Sequence, residues 1–167
     1  MIDSIPYVLT GIGIIASILY YSSVLRNANE TQKQSLETRQ AALLMDLMNN
    51  FRSTEFRKQW HTLWHIKWKD EKDFQERFYG KDIEVMSAYT SVMTYFESVG
   101  MLVKSGLIDI EKVYSMLGGA TKMIWDRYGS LMISDRDYFQ EYNLQGKERW
   151  DNFEYLYGEI TRYDLQK

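Results

Sequence analysis

The chain has no cysteine. That excludes disulfides, thiolate metal sites and cysteine nucleophiles, and it agrees with a reducing compartment. It has one proline, Pro6, so nothing beyond the first residues is broken by proline and helix is the expected default. It has two histidines, and no serine has one at a spacing that reads as a hydrolase triad. The net charge of −3 leaves no basic footprint, so no nucleic-acid partner is expected. No strand alternation persists and no internal repeat is visible.

What the chain does have is an uncharged run, Ile5–Leu25, IPYVLTGIGIIASILYYSSVL. As a helix it reaches roughly 30 Å, the thickness of a bilayer's hydrocarbon core. A signal peptide needs a positive leading region and a small-residue cleavage site. Here Asp3 is the only charged side chain before the run, and Tyr20, Tyr21 and Leu25 offer no such site. A buried core helix is usually shorter and keeps a polar stripe. The preferred reading is a transmembrane helix bounded by Ile5 and Leu25. Pro6 suits its first turn, and Tyr7, Tyr20 and Tyr21 suit the two interfaces. Gly13 and Ser17 form a small-xxx-small pair that lets another helix approach. No Lys or Arg precedes the span, while Arg26, Lys33 and Arg39 follow it. The positive-inside rule then places the N-terminus outside and the C-terminal part in the cytoplasm of a single-pass protein at the cell membrane.

The expected organisation is an anchor over 1–26, a helical stalk leading into the bundle over 27–51, and a cytoplasmic all-α domain over 52–167. The stalk sequence RNANETQKQSLETRQ is polar on every side. Leu36, Leu43, Leu44, Leu47, Met48 and Phe51 then begin an apolar helical face. Ser53 is placed to cap the next helix, whose buried face is Phe56, Trp60, Leu63 and Trp64, with Trp68 extending the row by a turn. KDEKD, Lys69–Asp73, reads as a loop, and Gly80 closes a short turn. Asp82 caps a helix reaching about Lys104, striped by Val85, Tyr89, Val92, Met93, Phe96 and Val99. Gly106 fits the left-handed position after that helix, and Asp109 caps the next. Gly118 and Gly119 are expected to bend or break it. A further helix carries Met123, Ile124, Trp125, Tyr128, Leu131 and Met132. Asn143–Gly146 reads as a turn, and the last helix presents Trp150, Phe153, Tyr157 and Ile160. The fold class is all-α, with a small bundle of about five helices after the stalk.

The stretch Tyr95–Asp109, YFESVGMLVKSGLID, carries Phe96-Glu97, Gly100, Leu102-Val103 and Gly106-Leu107-Ile108-Asp109. With Trp125 and the aromatic C-terminal helix it resembles an uncharacterised prokaryotic family, domain of unknown function forty-seven sixty. The resemblance implies a membrane-anchored helical domain. It brings no activity, cofactor or catalytic residue.

Few constellations carry chemistry. His61 and His65 stand at i and i+4 in WHTLWHIKW, one helix face, where a metal would need a third ligand such as Glu55 or Asp70. Thr62 occupies the place of the glutamate in H-E-x-x-H, which excludes that metalloprotease motif. The bland reading is two boundary histidines beside a tryptophan row. Trp60, Trp64 and Trp68 are either core or, with Lys58, Lys67 and Lys69 nearby, a row that dips into lipid headgroups. Gly118–Lys122 lacks phosphate-loop spacing, and Asp109 with Glu111 lacks calcium-loop spacing. Asp135, Arg136 and Asp137 read as a solvated turn. Glu97 lies at the edge of an apolar stripe and needs a partner if buried. Arg127 and Arg136 are the candidates, in an ion pair that locks two helices. No catalytic, cofactor-binding or metal residue is assigned, and no cofactor is expected.

The expected function is a non-enzymatic, membrane-anchored interaction or scaffold module, an accessory part of a membrane complex. Its partners would be the lipid bilayer and a membrane protein or a second copy of the chain. The alternatives are a metal-dependent or other enzymatic module around His61 and His65, and a signalling module that passes motion through the stalk.

Overall fold

The computed structural model describes residues 5–141 and 148–167, with side chains over 13–140 and 148–167. The described residues form six helices and no strand: α1 Ile5–Arg52, α2 Thr54–His65, α3 Glu71–Phe78, α4 Ile83–Lys104, α5 Ile110–Glu141 and α6 Asp151–Asp164. The expected turn Asn143–Gly146 lies outside the described residues. The chain divides into two compact units, 1–42 and 43–167.

The described part of the first unit is helix alone. The uncharged run and the polar segment after it are one uninterrupted α-helix. Every described side chain from Gly13 to Arg39 is exposed. Its hydrogen bonds are local, Ser17 Oγ to the Gly13 carbonyl at 2.8 Å and Thr31 Oγ1 to the Asn27 carbonyl at 2.9 Å. Among the described residues no helix is long and apolar enough to cross a membrane. The side chains of Ile5, Pro6 and Tyr7 lie outside the described ones. The remainder of the run, Gly13–Leu25, rises only roughly 20 Å against the roughly 30 Å a span needs. The fold thus supplies the helix but not the span.

The second unit is built around α4. Its stripe buries Val85, Tyr89, Val92, Met93, Phe96, Val99 and Val103, and α2 and α6 are its main neighbours, with α3 touching it more lightly. The helix starts follow the local code. Ser53 Oγ accepts from the Phe56 N–H at 3.1 Å, and Asp82 Oδ1 from the Val85 N–H at 3.0 Å, each satisfying an orphan donor of the first turn. Gly106, at φ +71°, ends α4. Its N–H bonds the Val103 carbonyl and the Leu107 N–H the Leu102 carbonyl, at 2.9 and 3.0 Å. This is the Schellman pattern, which needs a left-handed residue.

Three boundaries differ from expectation. KDEKD is not all loop, because Asp70 caps α3 through the Asp73 N–H at 2.8 Å. The tryptophan row does not continue through Trp68, because α2 ends at His65 and Ile66 is extended, with ψ 148°. Gly118-Gly119 does not break a helix, since α5 runs through both. Each glycine costs a helix about 1 kcal/mol, but Leu117, Thr121, Ile124 and Tyr128 are buried on one side of this segment. Burying side chains of that size outweighs the glycine cost.

Candidate functional site

Glu97 leaves α4 at the edge of its buried face and meets the start of α6. Its Oε1 accepts from the Asn152 Nδ2 at 2.7 Å and the Asn152 N–H at 3.3 Å, and Oε2 accepts from the Phe153 N–H at 2.8 Å. The expected arginine partners are engaged elsewhere. Arg127 donates to the Ile66 carbonyl at 2.8 Å, and its guanidinium lies over the Trp68 and Trp64 rings, 4.7 and 5.2 Å from their centroids. Arg136 donates to the Arg149 carbonyl and pairs with Asp151 and Glu154, at 2.8, 3.0 and 2.7 Å. The physical reason is the helix end. Trp150, in the N-cap position of α6, is left-handed at φ 66° and provides no side-chain cap. The free N–H groups and positive dipole end of α6 therefore draw a carboxylate from another helix.

The residues around Glu97 make the same junction. Phe96 stacks on Phe153 with centroids 4.9 Å apart. Gly100 faces the Asn152 carbonyl so closely that a Cβ there would lie 1.9 Å from the oxygen. Asp109 stands just before α5, and its carboxylate is 3.2 Å from Lys112 Nζ.

The strongest cluster of ionisable groups was hidden in the supposed solvated turn. Asp135 is fully buried within α5. It accepts from the Tyr89 hydroxyl at 2.8 Å and from the Tyr79 hydroxyl. Burial raises its pKa above the ordinary carboxylate value, opposed by the two tyrosine hydrogen bonds and the Arg149 charge. Burial and the Asp135 charge push the Tyr79 and Tyr89 hydroxyls upward in turn. The Arg149 guanidinium lies 4.1 Å from the Phe139 centroid and 4.6 Å from that of Trp150. The signal was present in the sequence: Ile124, Tyr128, Leu131 and Asp135 recur at helical spacing, so Asp135 stands on the apolar stripe.

His61 and His65 are both exposed. His65 Nδ1 is 2.8 Å from the His61 carbonyl oxygen, the ring centroids are 6.1 Å apart, and the described residues hold no group of three or more potential ligands. The tryptophans divide. Trp60 packs on Phe51, Phe56 and Phe96, Trp68 stacks on Tyr128 at 5.0 Å, and Trp64 is 41% exposed.

Several clefts have the size of a ligand site, and one of them has an aromatic wall. It encloses 460 Å³, within the roughly 300–1,000 Å³ of small-molecule pockets. Phe51, Phe56, Trp60 and Met123 form its apolar wall, and Arg52, Arg57 and His61 its polar edge. Phe51 was expected on an apolar face and Trp60 in the tryptophan row. That Met123 of α5 completes the wall was not legible from spacing.

Residues 7–160 match the family described as Domain of unknown function (DUF4760). The chain belongs to this family. Neither a curated protein nor a solved structure matches it. The residues on which the resemblance rested are those of the α4–α6 junction and the α4 terminus. Phe96 stacks, Glu97 holds the start of α6, Gly100 admits the Asn152 backbone and Gly106 ends α4. In this member of DUF4760 these motif residues are accounted for by packing and capping.

Proposed function

We propose that the chain is a membrane-anchored, non-enzymatic helical interaction module, with the anchor at Ile5–Leu25 and the second unit as the part that binds. The observation that carries this reading is the uncharged run, continuous in sequence and helical along its length. Its described apolar side chains, such as Ile18 and Leu19 at 59% and 65%, are exposed with no protein against them. A helix apolar on all sides needs an apolar surrounding, and a bilayer supplies one. Gly13 is open, with nothing within 4 Å of a Cβ placed there, which suits approach by a helix of a membrane-protein partner or a second copy. The positive residues after the run favour a cytoplasmic second unit. The non-catalytic part of the reading rests on Asp135, whose carboxylate is closed to solvent and held by two tyrosines. Such a group serves packing better than turnover.

The test is fractionation of the full chain from native membranes. It is expected to pellet with membranes, to resist carbonate extraction, and to lose that resistance when Ile14→Arg places a charge in the run, at a cost of about 3 kcal/mol of insertion. Release of the unaltered chain by carbonate would overturn the anchor. Cleavage of the second unit by protease added outside intact cells would reverse the orientation.

A further inference from the structure

We propose that the cleft formed by the end of α1, α2 and α5 binds a single-chain anionic amphiphile, an aliphatic carboxylate whose chain lies on the aromatic wall and whose head meets the arginines. The wall is continuous. Phe51 lies 5.4 Å from Phe56 and 5.9 Å from Trp60, ring centroid to centroid, and Met123, 46% exposed, also lines the cleft. Phe56 is buried and Phe51 and Trp60 are half-buried, and the apolar surface that Phe51, Trp60 and Met123 leave open to water favours a hydrocarbon occupant.

The edge selects the head group. Arg52 and Arg57 are both exposed, and among the described residues neither forms an ion pair. Most other exposed arginines here have one, as Arg26 does with Glu30, Arg77 with Asp73 and Arg162 with Glu159. Two unpaired guanidiniums on one cleft are charge-complementary to a carboxylate, which each can hold through two parallel N–H donors. His61 adds a further nitrogen donor at the same edge. Glu84 lies in the neighbouring depression with Arg57 and His61 but does not line the cleft. A cleft of 460 Å³ has room for one such chain. The inference does not depend on where Ile5–Leu25 resides.

The experiment titrates the full chain, in a neutral detergent, with a terminally brominated decanoate, whose bromine quenches nearby indole fluorescence. The expected result is saturable quenching, lost for the most part in Trp60→Phe. Arg52→Gln combined with Arg57→Gln is expected to weaken the apparent affinity about tenfold while leaving the melting temperature unchanged. The brominated decanol is expected to quench weakly and equally in both proteins. Equal quenching by the acid and the alcohol, or saturable quenching that survives both sets of substitutions, would overturn the proposal. So would saturable binding of an acidic peptide in the absence of any binding of the carboxylate.

Discussion

The two units use the same secondary structure and hold it by different means. From Gly13 to Arg39 every described side chain is exposed, and the bonds reach no further than one turn. From Leu43 onward the helices are held by contacts between residues far apart in sequence. Tyr128 donates to the Leu63 carbonyl at 2.6 Å, Tyr95 to the Leu47 carbonyl at 3.0 Å, and Glu97 holds the start of α6. The difference teaches where stability resides. Polar helices with only local pairs gain a few tenths of a kcal/mol per pair, whereas a buried aromatic side chain contributes several times that. The second unit should therefore be sensitive to single substitutions and the first insensitive.

The largest effect is expected at Gly100. A Cβ there meets backbone, not a flexible side chain, so α4 and α6 must separate. Gly100→Ala is expected to destabilise the second unit by about 3 kcal/mol, read from the urea midpoint followed by circular dichroism. A midpoint within error of the parent would mean that the two helices yield easily and that the junction is not where the unit is held.

Glu97→Ala comes next, at about 2 kcal/mol, the cost of removing hydrogen bonds to a charged acceptor. An ion pair would make Glu97→Leu milder than Glu97→Ala. A capping carboxylate predicts that both cost about the same, because the α6 N–H groups stay unsatisfied, and that Glu97→Gln recovers part of the loss. Urea melts of the three variants side by side separate the two cases.

A smaller effect with a definite sign is expected from Asp135. Its pKa is raised by burial in the folded state, so between the unfolded value, about 3.9, and the raised folded value the folded protein binds more protons than the unfolded one. Its contribution to stability is therefore greatest at low pH and falls as pH rises through that window. Asp135→Asn is expected to flatten this part of the stability–pH curve, measured by urea melts from pH 4 upward. An unchanged slope would show that another group carries the dependence. Tyr79 and Tyr89, also raised, add a loss of stability above about pH 10.

The smallest effect belongs to the first unit. Arg26 and Glu30 pair at 3.0 Å with side chains 80% and 59% exposed. Arg26→Ala is expected to leave the thermal transition of the full chain unmoved, as exposed pairs contribute little. A clear drop would remove the contrast between the units.

What the amino-acid sequence determined by itself is the part of the structure written within a few residues. A chain with one proline and apolar residues at helical spacing is all-α. Ser53, Asp82 and Gly106 mark helix ends because the bonded groups of a cap lie three to five residues apart. The continuity of α1 through its polar segment is of the same kind, since nothing in it interrupts a helix. Tertiary structure decided the rest. Opposite charge suggested Arg127 or Arg136 for Glu97, but the left-handed Trp150 leaves the α6 start uncapped and the path of the chain brings that start to α4. Local composition placed Asp135 in solvent, but the face of α5 that carries Tyr128 turns inward and takes Asp135 with it, to two tyrosines more than forty residues away. Gly118-Gly119 stays helical because its neighbours are buried, and Met123 of α5 joins Phe51 and Trp60 in lining one cleft. Local bonds are set by spacing along the chain. Contacts between distant residues are set by how the helices pack, and spacing alone does not contain that geometry.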